Sequence, residues 1–218
     1  MRKVVKFGGS SLASAEQFKK VGNIIKADKT RKFVVPSAPG KRDSKDTKVT
    51  DMLYACYDLA ENGKKFDAEM KAIKARYQEI IDGLSLDLSL EDEFVKIAEN
   101  FKNKAGKDYA ASRGEYLNGI IMAKYLGFAF VDAAEVIVFD DNGEFASEET
   151  NEKLKKRFEK CDSAVVPGFY GAYRDGRVKT FSRGGSDITG SIVARAIMAN
   201  VYENWTDVSG FLIADPRI

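Results

Sequence analysis

Apolar positions along the chain switch between two periods. Val4, Val5 and Phe7 make a short apolar run over 2–7, read as a buried strand, which Gly8-Gly9-Ser10-Ser11 breaks. Phe18, Val21, Ile24 and Ile25 then recur at helical spacing, and Ser14 with Gln17 has the capping-box spacing of a helix start. Phe33-Val34-Val35 centres a second strand over 32–37. Strand, glycine turn, helix, strand is the opening of a parallel α/β sheet. A polar loop spans 38–49, and helices are predicted over 50–62, 64–82, 90–104 and 108–126. In the second of these, Phe66, Met70, Ile73, Tyr77, Ile80 and Ile81 share a face; Gly127 ends the last. This helical stretch is expected to cover one side of the sheet. Strand character returns over 128–132, 135–139, 164–166, 177–181 and 201–206, with helices over 150–159 and 187–199. A repeat of fixed period, a low-complexity tract and an interdomain linker are all missing from the pattern.

The 218 residues suffice for one large domain with a real core. With 44% hydrophobic and 31% charged residues, the balance is that of a soluble globular protein. A net charge of +2, from 35 basic and 33 acidic residues, argues against nucleic acid or an anionic membrane as partner. No apolar run approaches the roughly 20 residues of a membrane span. The start at Met1 runs directly into a strand, unlike a signal peptide, so a cytoplasmic location is expected. Histidine is absent, which excludes histidine bases, Ser-His-Asp systems and histidine metal sites. Cys56 and Cys161 lack metal or disulfide spacing and read as buried free thiols.

Four stretches carry candidate chemistry. In Lys6-Phe7-Gly8-Gly9, glycines after a strand let backbone amides approach phosphate oxygens, and Lys6 sets an ammonium beside them. The Walker A pattern is absent. Arg183-Gly184-Gly185-Ser186-Asp187 is a second glycine turn between a strand and a helix. In a parallel sheet both turns would lie at the carboxyl edge, one for nucleotide phosphates and one for a carboxylate substrate. Asp187 reads equally as a first-turn helix acid. In Ser112-Arg113-Gly114-Glu115, a glycine inside a helix invites close approach, and Glu115 is either a solvated carboxylate or a buried anion facing an amine. Last, Thr206-Asp207 follows a strand, where it would meet a ribose or adenine edge, and Arg217 lies within reach of a phosphate.

Taken in order, KFGGSS at 6–11, PSAPGKR at 36–42, KVTD at 48–51, SRGE at 112–115, PGFYG at 167–171, FSRGGSD at 181–187 and WTDVSGFLIADPR at 205–217 resemble the aspartate kinase family of the amino-acid kinase superfamily. The resemblance implies a three-layer αβα sandwich with a mainly parallel central sheet. It implies ATP, with Mg²⁺ held mainly by its phosphates, in one lobe and aspartate in the other. By similarity Lys6, Gly8 and Gly9 contact phosphate, with Lys6 the catalytic lysine and Asp187 the acid beside it. Thr50, Glu115, Phe169, Arg183, Gly185 and Ser186 fall on aspartate-binding positions, and Thr206, Asp207 and Arg217 on nucleotide-binding ones. No protein ligand set for a metal is implied. Family members continue beyond this length and usually carry two small ACT modules, so residues 1–218 are expected to be a catalytic domain incomplete at its C-terminus. Homo-oligomers, allosteric control and a place at the first step of lysine, threonine and methionine biosynthesis are implied for the full-length protein.

The implied reaction needs no general base, because the β-carboxylate of aspartate is ionised at neutral pH. Its difficulty is an anion approaching an anionic phosphate, which positioning and charge neutralisation address. Two rival readings are a kinase of glutamate or N-acetylglutamate and a non-catalytic regulatory subunit. Glu115 argues against an N-acylated substrate, and intact Lys6, Arg183 and Asp187 argue against lost activity.

Overall fold

The structure is a computed structural model that describes residues 1–182 and 184–206. Arg183, Asp207 and Arg217, three of the expected site residues, lie outside the described residues. Strand β1 (Lys3–Phe7) pairs in parallel with β2 (Arg31–Pro36) on one side and β8 (Val201–Trp205) on the other. Two short strands, β5 (Ala164–Val165) and β3 (Ala129–Phe130), extend it, giving the order β3-β5-β2-β1-β8, all parallel.

The two-residue strand period sorts side chains between two cores. Val5, Phe7, Val34 and Val165 face one, and Val4, Phe33, Val35 and Ala164 face the other. The first core is closed by α1 (Ala15–Lys26), α2 (Val49–Glu61), α3 (Asp67–Gly83), α4 (Glu91–Lys102) and α5 (Lys107–Leu126). The second is closed by α7 (Ser147–Phe158), α8 (Gly185–Ala196) and a small sheet. In that sheet β4 (Val138–Phe139) is parallel to β6 (Tyr170–Tyr173), which forms a hairpin with β7 (Val178–Thr180). The three-layer αβα architecture is therefore as expected.

Local chemistry sets several boundaries. Ser14 caps α1 by accepting from the Gln17 amide at 3.4 Å, and Gly127 ends α5 with φ +70°. Four expectations change. The predicted strand over 135–139 is shortened to β4 (Val138–Phe139), because Glu135 and Val136 end a short helix, α6 (Ala133–Val136), which Asp132 caps by accepting from the Ala134 amide at 3.0 Å. Tyr170–Tyr173 is a strand that the surrounding glycines concealed. Consequently the second glycine turn follows β7 of the small sheet rather than a strand of the main one. Cys56 is buried as expected, but Cys161 is only partly so.

The loop after β2 is folded against the turn after β1. The Ser37 amide donates to Phe7 O at 3.1 Å and the Gly40 amide to Gly9 O at 2.8 Å. A Cβ on Gly40 would meet Gly9 C at 2.7 Å and Ser10 N at 2.8 Å, so backbone touches backbone. Arg76 fastens the loop from outside, donating to Gly40 O at 3.0 Å while paired with Asp46 at 3.2 Å. Gly40→Ala should therefore lower unfolding free energy by about 1–3 kcal/mol, since the clash is with backbone that cannot rotate away. Denaturant unfolding with Ser44→Ala, at an exposed position in the same loop, as the unaffected control measures it.

Candidate functional site

All main-sheet strands are parallel, so their carboxyl ends share one edge, where open α/β sheets bind ligands. Gly8 and Gly9 leave β1 there, Ser37 to Gly40 leave β2, Pro167 to Phe169 follow β5 and Thr206 follows β8. Alternation along β1 puts Lys6 opposite Val5 and Phe7, on the α8 side of the sheet. Its ammonium reaches Asp187 Oδ1, in the first turn of α8, at 2.8 Å. Lys6 is only 8% exposed, so its charge is directed rather than solvated. A Cβ on Gly8 would stand 3.9 Å from Lys6 Nζ, and the Gly8 amide donates to Trp205 O at 3.2 Å. The ammonium thus stands over the glycine turn, beside the end of β8.

The amino end of α8 is the second pole. Gly184 occupies its N-cap with φ +58° and offers no side-chain cap, so the first-turn amides remain available to an anion. Gly185 and Ser186 interlock with the loop after β5. A Cβ on Gly185 would meet Phe169 Cδ2 at 2.6 Å, and one on Gly168 would meet Ser186 Oγ at 2.5 Å. Phe169 has φ +82°, a strained value for a bulky residue. It is held there by Thr189 Oγ1, which accepts from the Phe169 amide at 3.1 Å, and by Phe169 O, which accepts from the Phe181 amide at 2.9 Å.

The third pole is Glu115. It lies on α5, a helix buried on nearly every side between the sheet and α2. Gly114 lets the loop after β2 come close: a Cβ there would lie 2.8 Å from Ala38 Cβ and 3.8 Å from Thr50 Oγ1. The Ala38 amide hydrogen-bonds the Glu115 carboxylate, and Asn118 Nδ2 holds the same loop by donating to Ser37 O at 2.6 Å. Glu115 Oε2 is buried with no hydrogen-bond partner among the described residues. Burial pushes the carboxyl up to about 8, against the opposing pull of the backbone amides and the Arg113 charge.

Lys6, Gly8, Gly9, Asp187, Gly185, Ser186, Phe169, Thr50 and Glu115 thus gather at one edge of one sheet, with Thr206 beside Gly8. The second glycine turn arrives there through the β6–β7 hairpin, not through the main sheet. Sequence reasoning missed Ala38 and Thr189. Ala38 acts through its backbone amide and leaves no side-chain signal. Thr189 is a mid-helix threonine that also donates to Gly185 O at 3.0 Å, a back-bond that composition conceals. Among the described residues no cluster of three or more His, Cys, Asp or Glu could hold a metal. A cleft of about 410 Å³ at the opposite edge, near Lys26, Asp28 and Phe128, gathers none of this chemistry.

The chain has no histidine, and burial raises both thiols, so few groups other than Glu115 titrate between pH 5 and 8. The folded state holds a proton on Glu115 that the unfolded chain releases near pH 4.5. Stability should therefore fall as pH rises through this window, by about 2–4 kcal/mol in all. Glu115→Gln should flatten the slope. Urea unfolding at half-unit pH steps from 5.5 to 7.5 checks both.

The sequence matches the amino acid kinase family across residues 1–218. It is 40% identical to aspartokinase 3 of Bacillus subtilis, covering 98% of this chain and 50% of that protein. The crystal structure of Clostridium acetobutylicum aspartate kinase superposes with TM-score 0.94 at 56% identity, covering 99% of this chain and 50% of that one. Escherichia coli aspartokinase III, in complex with aspartate and ADP, gives TM-score 0.81 at 26% identity, covering 100% of this chain and 52% of that one. The chain spans about half the length of the relatives it matches.

Proposed function

This chain belongs to the amino acid kinase family, and from that premise we propose that it carries the active site of an ATP-dependent aspartate kinase. The observation that carries the reading is one contact. The loop after β2 touches the Lys6–Gly9 turn through Gly40 and Glu115 through Ala38, which joins a phosphate cradle to a buried carboxylate with a free oxygen. An α-ammonium is the group that such a carboxylate lacks. An N-acylated substrate has no cation for it, so the N-acetylglutamate reading is disfavoured.

In the proposed arrangement the β- and γ-phosphates of ATP lie on the Gly8-Gly9 turn, facing the Gly9 amide, with Lys6 above them. Mg²⁺ comes with the nucleotide as part of that substrate. Thr206, with Asp207 and Arg217 outside the described residues, serves the nucleoside end. Glu115 and Thr50 take the ammonium side of aspartate. Gly185, Ser186, Phe169 and Arg183 take its α-carboxylate side. The β-carboxylate oxygen attacks the γ-phosphorus, the P–O bond to ADP breaks, and an acyl phosphate, aspartyl 4-phosphate, leaves with ADP. No proton has to be removed from the nucleophile, in keeping with a site that has no histidine. Lys6 offsets the charge shared between attacking and leaving oxygens, and Asp187, 2.8 Å away, orients it.

The setting we propose is the cytoplasm, in a homo-oligomer under allosteric control, at the head of lysine biosynthesis. No described helix is long and apolar enough to cross a membrane.

Hydroxylamine trapping of acyl phosphate tests the activity directly. Purified full-length protein with MgATP should yield hydroxamate from aspartate and far less from glutamate, N-acetylglutamate or succinate. Lys6→Ala should lower kcat by about 10²–10³-fold with aspartate KM changed by less than about threefold. Turnover of N-acetylglutamate in preference to aspartate, or a Lys6→Ala enzyme with kcat near wild type, contradicts the reading.

A further inference from the structure

Arg113 lies two residues before Glu115 on α5 and is 6% exposed. Its Nε and Nη2 donate to Ser112 Oγ at 3.1 and 3.0 Å. The rest of the guanidinium is enclosed by rings: Tyr116, Tyr109 and Tyr170 stand 4.4, 4.6 and 5.3 Å from it. Ring faces attract a cation, the more strongly when water is excluded. Carboxylates stand one ring further out. Tyr116 donates to Glu93 at 2.9 Å and Tyr170 to Asp132 at 2.7 Å. Among the described residues the charge is therefore compensated through tyrosines rather than by a direct ion pair.

The cage crosses between two elements. Tyr109 and Tyr116 belong to α5, but Tyr170 is the first residue of β6 and directly follows Phe169. The hairpin that begins at Tyr170 ends just before the glycine turn that opens α8. A second tie links the same helix and hairpin, where Thr180 of β7 donates to Asp108 of α5 at 2.7 Å. Helix α5 carries Glu115, and the two ends of the hairpin carry Phe169 and the Gly184-Gly185-Ser186 turn. The separation of those groups is the span into which a small dicarboxylic amino acid must fit.

We propose that Arg113 is a positioning residue that fixes the distance between Glu115 and the Phe169–Ser186 wall, through its cation–π contact with Tyr170. The proposal rests on the aspartate kinase reading above. Loosening the cage lets the hairpin drift from α5 and leaves the phosphate turn on β1 untouched. Its effect is therefore confined to the amino-acid end of the site and to the length of acceptor allowed.

Steady-state kinetics with aspartate, glutamate and ATP as varied substrates test it. Arg113→Met, a neutral side chain of similar length, should raise aspartate KM by about 10-fold or more, as expected when an anchor shifts by a fraction of an ångström. ATP KM should stay within about twofold. Selectivity for aspartate over glutamate should fall by about fivefold or more. Arg113→Lys, which keeps a cation among the rings, should recover most of both. If Arg113→Met does not fold, Tyr170→Leu, which removes the ring that Arg113 contacts and keeps an apolar side chain, should show the same split. Unchanged aspartate KM and selectivity, or a parallel rise in both KM values, would overturn the proposal. Wild-type protein that fails to phosphorylate aspartate would instead sink the functional reading on which it rests.

Discussion

Gly9 and Gly40 touch backbone to backbone, and the rest of the site is arranged around that contact. With a side chain at either position the loop after β2 would stand off from the turn after β1. Ala38 would then miss Glu115, and the Lys6–Gly9 cradle would lose its connection to the buried carboxylate. Parallel strands deliver both segments to the same sheet edge, and the contact turns that general placement into a defined distance. Arg76, buried on α3, holds the loop from outside through Gly40 O, so the helical layer serves the site as well as the core.

Charge placement follows the same economy of groups. Lys6 and Asp187 form an ion pair at the glycine turn after β1, on the face of β1 opposite to Val5 and Phe7. Glu115 sits on the other side of the sheet layer, where burial pushes its carboxyl well above the usual carboxylate range. In the proposed reaction the carboxylate nucleophile is already ionised and requires only neutralisation and alignment, and both can be built from lysine, glycine amides and helix ends. At the opposite edge, Lys3 and Arg31 pair with Glu203 of β8, clipping the strands together away from the chemistry.

Much of this was legible in the sequence, and the illegible parts have identifiable causes. Val4, Val5 and Phe7 before two glycines announced strand and turn, and Ser14 announced the cap of α1. Gly114 inside a helix pointed correctly to close approach. The burial of Glu115 was not legible from periodicity, because α5 is enclosed on nearly all sides and so has no polar face to contrast with an apolar one. The hairpin at Tyr170–Tyr173 was hidden by flanking glycines, and with it the route by which the second glycine turn reaches the site. Ala38 contributes an amide, which every residue but proline possesses. The tyrosine cage of Arg113 joins residues from 109 to 170, a separation that no local pattern reports.

The central claim is that Glu115 is held neutral by burial and gives up its proton when the substrate ammonium binds. Calorimetric titration of aspartate at pH 6.5, in two buffers of different ionisation enthalpy, measures that proton directly. With the carboxyl at about 8 in the folded protein, the account predicts release of close to one proton per aspartate bound, abolished in Glu115→Gln. Aspartate binding with no proton released, or succinate binding as tightly as aspartate, would contradict it.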